Sequence, residues 1–266
     1  MRFSFLLLVS ILLTMTSASS IAVAIVAHRG ASADAPENTL PAFELAWEQG
    51  ADVIEADFHL TEDNTIVCFH DKTTARIAGV NLVLASTPYA RLKQLDVGAW
   101  KDPKWNGTTI PTLAEVIGTL PQDQGRVFIE IKDTQRIVQP LADTINNLHL
   151  PKNRLAILCF DADIITACKK AMPNVEAHWL VNSKTYQKTG TAGLIRKLKE
   201  MGADGVDIQA SRQVTPELGL ALRENGLQFH CWTVNDIPLA QHMVAMGAES
   251  ITTDKPEFLR KSLPQD

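Results

Sequence analysis

The chain has little that would suit it to nucleic acid. It carries no basic block and no basic stripe interleaved with aromatics, and 25 Lys and Arg stand against 30 Asp and Glu for a net charge of −5. Its four cysteines, Cys68, Cys159, Cys168 and Cys231, form no CxxC pair, and three sit in strand-like apolar stretches. A chain of 266 residues needs no disulfide staple, so they read as buried free thiols. No low-complexity linker or internal repeat marks a domain boundary. No glycine-rich phosphate loop follows the first strand, which disfavours an open doubly wound sheet.

Long apolar runs are also missing, and this bears on the N-terminus. MRFSFLLLVSILLTMTSASS has one early cation, Arg2, an apolar stretch from Phe3 to about Leu13, and then small polar residues. The stretch is short of the roughly 20 residues that span a bilayer, and its order is that of a secretory signal peptide. The expectation is a signal peptide over 1–20, cleaved near Ala18 to Ser20, and a periplasmic or secreted protein with no stable membrane span. An uncleaved anchor, helped by the following IAVAIVA, is the alternative.

From there one theme repeats, an apolar or β-branched strand followed by an amphipathic helix. Strands are expected at 22–27, 52–58, 126–131, 154–160, 175–181, 204–208, 227–233 and 249–253. Helices are expected at 40–48, 113–119, 135–148, 163–171, 193–199, 216–225, 238–245 and 256–261. Thr39-Leu40-Pro41 and Thr215-Pro216 look like cap-plus-proline starts. Eight strand–helix alternations predict an α/β fold, a closed (β/α)8 TIM barrel over residues 21–266. Residues 59–110, between the second strand and its helix, are too long for an ordinary loop and read as an insertion that walls the barrel mouth. It holds a short strand, TIVCFH, and a short helix near Tyr89–Leu95.

In such a barrel, chemistry collects at the C-terminal ends of the strands. Glu55 and Asp57 sit at i, i+2 near the end of the second strand, so both side chains share one face. Alone, such a pair is usually a solvated strand edge. Glu130, at the end of the third strand, makes three carboxylates from neighbouring strands, suited to Mg²⁺ or Ca²⁺. Arg29 and Lys132 supply cations for a phosphate's oxygens. His28 and His70 supply a general acid and base, and Trp232 an apolar face for a carbon skeleton. Taken together, these groups read as metal-assisted phosphoester chemistry. His59, His178 and His230 are expected to be structural, and His149 and His242 solvated.

HRGASADAPENT, EADFHLTEDNTIVCFHD, PTLAEV, FIEIK, HCWTVND and SITTDKP occur in that order from about Ala27 to Pro256. Together they resemble the glycerophosphodiester phosphodiesterase family. The resemblance implies a barrel with an insertion after the second strand, and divalent-metal hydrolysis of a small glycerophosphodiester to sn-glycerol 3-phosphate and an alcohol. It places Glu55, Asp57 and Glu130 on the metal, and His28 and His70 as the acid/base pair. Arg29 and Lys132 fall on the phosphate, Glu37 of PENT in the substrate site as an orienting glutamate, and Trp232 in the pocket. Which histidine is acid, the choice of Mg²⁺ or Ca²⁺, and water or a substrate hydroxyl as nucleophile stay open. So does the oligomeric state. The rival readings are a lysophospholipase D with longer-chain substrates, a carboxylate glycosidase, and a non-catalytic exported barrel that binds phosphoesters.

Overall fold

The computed structural model describes residues 23–148 and 150–263. The expected signal segment and His149 therefore lie outside the described residues. Eight parallel strands close into a barrel: β1 (Ala24–His28), β2 (Val53–Leu60), β4 (Arg126–Ile131), β5 (Leu155–Cys159), β6 (Glu176–Val181), β7 (Gly205–Gln209), β8 (Gln228–Trp232) and β9 (Ser250–Thr253). Their order is β1-β9-β8-β7-β6-β5-β4-β2, and pairing of β1 with β2 closes the ring. β3 (Ile66–Cys68) lies antiparallel on the end of β2, with Phe58 opposite Cys68.

The alternation in β2 shows how sequence becomes position. Every residue of VIEADFHL is buried. Ile54, Ala56 and Phe58 join the main core beneath the helices, whereas Val53 packs inside the barrel with Val26, Phe128, Ala156, Leu158 and Leu180. The opposite parity of Glu55 and Asp57 therefore turns them inward. In β4 the same alternation turns Phe128 and Glu130 inward, opposite Ile129 and Ile131 in the outer core. The register fixes their height, because Asp57 is paired with Glu130 and His28 with Glu55.

Helices cover the barrel: α1 (Leu40–Glu48), α4 (Leu113–Gly118), α5 (Val138–Asn147), α6 (Ala162–Ala171), α7 (Ser183–Met201), α8 (Pro216–Glu224), α9 (Ile237–Ala245) and α10 (Pro256–Ser262). Thr112 and Glu115 start α4 as a reciprocal cap: the Thr112 hydroxyl accepts from Glu115 N at 3.3 Å, and Glu115 Oε2 accepts from Thr112 N at 2.8 Å. Thr39 behaves differently from the expected cap. Its hydroxyl donates to Pro36 O at 2.7 Å and closes the PENT turn instead. The segment between β2 and α4 carries β3, two short helices, α2 (Ala75–Ala78) and α3 (Tyr89–Leu92), and a small core of its own from Val67, Phe69, Ile77, Leu84, Leu92, Val97 and Ile110.

α7 begins ten residues before the expected start at 193, capped by Asn182, whose side chain accepts from Thr185 N at 2.9 Å. Gly190, at φ 64°, kinks it. His242 is half-buried rather than solvated, and its Nε2 lies 3.1 Å from Val214 O. All four cysteines are buried free thiols. Among the described residues, no helix is long and apolar enough to cross a membrane.

Candidate active site

At the C-terminal mouth of the barrel, His28, Arg29, Glu55, His70, Glu130, Lys132 and Trp232 line one cavity of about 260 Å³. Carboxylate oxygens of Glu55, Asp57 and Glu130 lie within 4.8 Å of one another, and all three residues are buried. At that separation two unit charges repel by roughly 3 kcal/mol for an effective dielectric near 20. The cluster therefore needs positive charge.

Some of it comes from the protein. Lys132 Nζ lies 3.2 Å from Asp57 Oδ1 and pairs with Glu130, while Arg29 Nε lies 3.2 Å from Asp57 Oδ2. Burial alone would raise the Asp57 carboxyl, but Lys132, Arg29, His70 and a hydrogen bond from Asn38 hold it down to about 2. Burial and the neighbouring Asp57 charge push Glu130 up to about 7, and burial with the Asp57 and Glu130 charges pushes Glu55 well up. With all three ionised, two cations would leave one negative charge unmatched, and the raised Glu55 and Glu130 carboxyls reflect that shortfall. All three carboxylates bury an oxygen: Glu55 Oε1 has no partner among the described residues, and Asp57 Oδ1 and Glu130 Oε1 meet Lys132 Nζ alone. Three clustered oxygen donors short of positive charge can hold a metal ion, and they suit a hard cation.

The two histidines are built alike. His28 Nδ1 lies 2.6 Å from Asp254 Oδ1, and His70 Nδ1 lies 2.7 Å from Asp71 Oδ1. Each carboxylate is itself fixed. Asp254 accepts from Ser32 Oγ at 3.1 Å and Asn235 Nδ2 at 2.6 Å, and Asp71 accepts from Arg76 Nε at 2.6 Å. Burial would raise Asp254, but the hydrogen bond and charge of His28 bring it to about 2. With Nδ1–H donating to a carboxylate, each ring keeps Nε2 for a reactant.

Glu37 is absent from the cavity wall and sits behind it. It accepts from Arg29 at 3.0 Å and from both terminal nitrogens of Arg76 at 2.8 and 3.1 Å, so one carboxylate ties the Arg29 loop to the Arg76–Asp71–His70 chain. Glu37 thus braces Arg29 from behind. His59, inward on β2, is structural: its Nε2 lies 3.0 Å from His70 O and pins the His70 backbone. His178 and His230 sit deeper in the barrel, edge to face at 4.5 Å, and His230 Nδ1 lies 2.8 Å from Ser250 Oγ. Trp232 is half-buried at the cavity wall, and its ring meets Phe160 edge-on at 5.5 Å.

Sequence reasoning missed several partners. Asn38, at φ 58°, clamps Asp57 from two sides: Nδ2 donates to Oδ2 at 2.7 Å, and Oδ1 accepts from the Asp57 N–H at 3.1 Å. Its place beside Glu37 in PENT was the available signal. Asp254 and Asp71 were visible at a strand end and beside His70, but their service to Nδ1 was not. Arg76 carried no signal, because only the tertiary fold brings it to the site, and Asn235 lies in the HCWTVND motif without showing its bond to Asp254.

The family model of the Glycerophosphoryl diester phosphodiesterase family matches residues 28–258. A glycerophosphodiester phosphodiesterase from Caldanaerobacter subterraneus subsp. tengcongensis is 31% identical over 241 residues, covering 88% of this chain and 95% of that one. One from Bacillus subtilis is 28% identical over 254 residues, covering 89% and 85%. Among solved structures, an Oleispira antarctica phosphodiesterase in complex with the product sn-glycerol-3-phosphate is 27% identical, with a TM-score of 0.79 and coverage of 90% and 96%.

Proposed function

Since the chain belongs to the glycerophosphoryl diester phosphodiesterase family, and so is a phosphoric diester hydrolase, we propose that it cleaves glycerophosphodiesters to sn-glycerol 3-phosphate and an alcohol, using a divalent cation and the pair His28 and His70. The observation that carries this reading is the shared cavity. Two imidazoles, each anchored through Nδ1, face it together with Arg29, Lys132 and the carboxylates Glu55 and Glu130.

Glu55, Asp57 and Glu130 would hold the cation, Mg²⁺ or Ca²⁺, which would supply positive charge to the phosphate. With that charge the site carries a net positive balance, matched to a phosphodiester monoanion. Arg29 and Lys132 flank the phosphate and stabilise the negative charge that grows on its oxygens as the nucleophile adds. One imidazole takes the proton of the attacking hydroxyl at Nε2, and the other gives its Nε2 proton to the leaving alcohol oxygen. The proton count balances over the step. Asp254 and Asp71 hold the two rings in the tautomer this requires and stabilise whichever ring is protonated. Glu37 keeps the Arg29 fork aimed into the cavity.

A second reading, lysophospholipase D activity on the same site, draws on one observation. Phe160 lines the cavity and is also exposed, giving the mouth an apolar lip beside Trp232. Purified protein assayed on sn-glycero-3-phosphocholine and on lysophosphatidylcholine decides between them. Faster choline release from the glycerophosphodiester supports the main reading, faster release from the lysolipid supports the second, and release from neither contradicts both.

A further inference from the structure

Two polar groups below the acid/base pair have no role in the chemistry above. Asp207 projects inward from β7 and Thr252 from β9, on either side of β8, and both line the same cavity as His28, His70, Glu130 and Lys132. They are 1% and 2% exposed. Asp207 Oδ1 and Thr252 Oγ1 are each buried with no hydrogen-bond partner among the described residues. Buried polar atoms are nearly always bonded, so two such atoms in one recess indicate a ligand that supplies the missing bonds.

The surroundings narrow that ligand's chemistry. Leu158 and Leu180 form the apolar part of the recess, and Trp232 caps it, its indole N–H donating to Asp207 O at 3.1 Å. No salt bridge to Asp207 is formed among the described residues, and the charged neighbour it feels is another carboxylate, Glu130. Burial first, and then Glu130, push its carboxyl well above the ordinary range. A carboxyl group and a threonine hydroxyl can both hydrogen-bond a hydroxyl. That pair matches neighbouring hydroxyls on a short carbon chain. It offers little to an acyl chain, which would leave both groups unsatisfied.

We infer that Asp207 and Thr252 form a polyol recess below the reacting phosphate that receives the hydroxyls of the glyceryl moiety and thereby sets selectivity for glyceryl diesters. The inference rests on the cavity being the phosphodiester site. Asp207 and Thr252 bind hydroxyls, Leu158 and Leu180 contact carbons, and the phosphate remains between Arg29 and Lys132.

sn-Glycerol 3-phosphate and propyl phosphate share the phosphate and a three-carbon chain and differ by two hydroxyls, so calorimetric titration of both, with Mg²⁺ present, isolates the recess. The wild-type protein should prefer sn-glycerol 3-phosphate by about tenfold or more, the worth of two hydrogen bonds to buried groups. Asp207→Ala and Thr252→Val should each lower that preference ratio by about fivefold to tenfold. Thr252→Val exchanges a hydroxyl for a methyl of similar size, so it decides the matter if Asp207→Ala does not fold. No wild-type preference, or a ratio that both folded variants keep, overturns the recess. Binding needs no turnover, so a wild type that prefers sn-glycerol 3-phosphate yet hydrolyses no glycerophosphodiester would overturn the proposed function and leave the recess standing.

Discussion

Two imidazoles reach the cavity from distant parts of the chain, His28 from the end of the first barrel strand and His70 from beyond β3, and each leans on its own carboxylate through Nδ1. Both are 19–32% exposed at the side chain, open enough to meet a substrate without carrying the fold. His28→Ala or His70→Ala should therefore lower turnover on sn-glycero-3-phosphocholine by about 10²- to 10⁴-fold, with the melting temperature within a degree or two of wild type. Thermal unfolding followed by circular dichroism, run beside the assay, separates the two effects. A His70→Ala protein with near-wild-type turnover would remove His70 from the chemistry. At this scale the residues readable in advance were those whose position follows from local spacing. Glu55 and Asp57 at i, i+2, and Glu130 and Lys132 at i, i+2, must share a strand face wherever the strand goes. Arg76 and Asn235 answer to no such rule. Asp207 was read only as a strand residue, since an acidic residue in a five-residue strand shows its burial only once the barrel closes around it.

Among the elements, the turn after β1 is the most constrained. Arg29 has φ 57° and Gly30 φ 80°, and Ala31 N donates to Ala42 O at 2.9 Å, so the loop carrying His28 and Arg29 is strapped to α1. A Cβ on Gly30 would stand 2.6 Å from the Ala42 carbonyl carbon and 2.8 Å from its Cβ. Gly30→Ala should cost roughly 2–5 kcal/mol, the left-handed backbone penalty plus overpacking, read as a lower denaturation midpoint in urea. Gly226→Ala makes the control: its φ is 67°, nothing stands within 4 Å, and about 1–2 kcal/mol is expected. Equal losses at the two positions would contradict the close packing. The barrel strands were legible because apolar runs of five to eight residues recur between helix-period segments. The first half of α7 was not, because SKTYQKTG has threonines and a glycine where strong helix formers are expected, and the Asn182 cap, with Tyr186 set partly against the main core, offsets that weakness.

For the whole molecule, the barrel acts as an insulating wall. Its strands bring charges from β1, β2 and β4 to one mouth, and its interior keeps water away from the oxygens of Glu55, Asp57 and Glu130. The same closure explains why the family and the three carboxylates were readable from sequence while the way they are supported was not. Order along the chain shows which residues stand at strand ends, but support such as Glu37 bridging Arg29 to Arg76 spans the ring. Arg29 and Lys132 alone do not balance the three carboxylates when all are ionised, and a divalent cation would take the site to the net positive charge that a phosphodiester needs. The most direct measurement is hydrolysis of sn-glycero-3-phosphocholine by protein stripped with EDTA and verified metal-free by mass spectrometry, before and after Mg²⁺ or Ca²⁺ is restored. The rate should fall by at least about 100-fold on stripping and return with one of the two ions. Undiminished hydrolysis by the metal-free protein would contradict it.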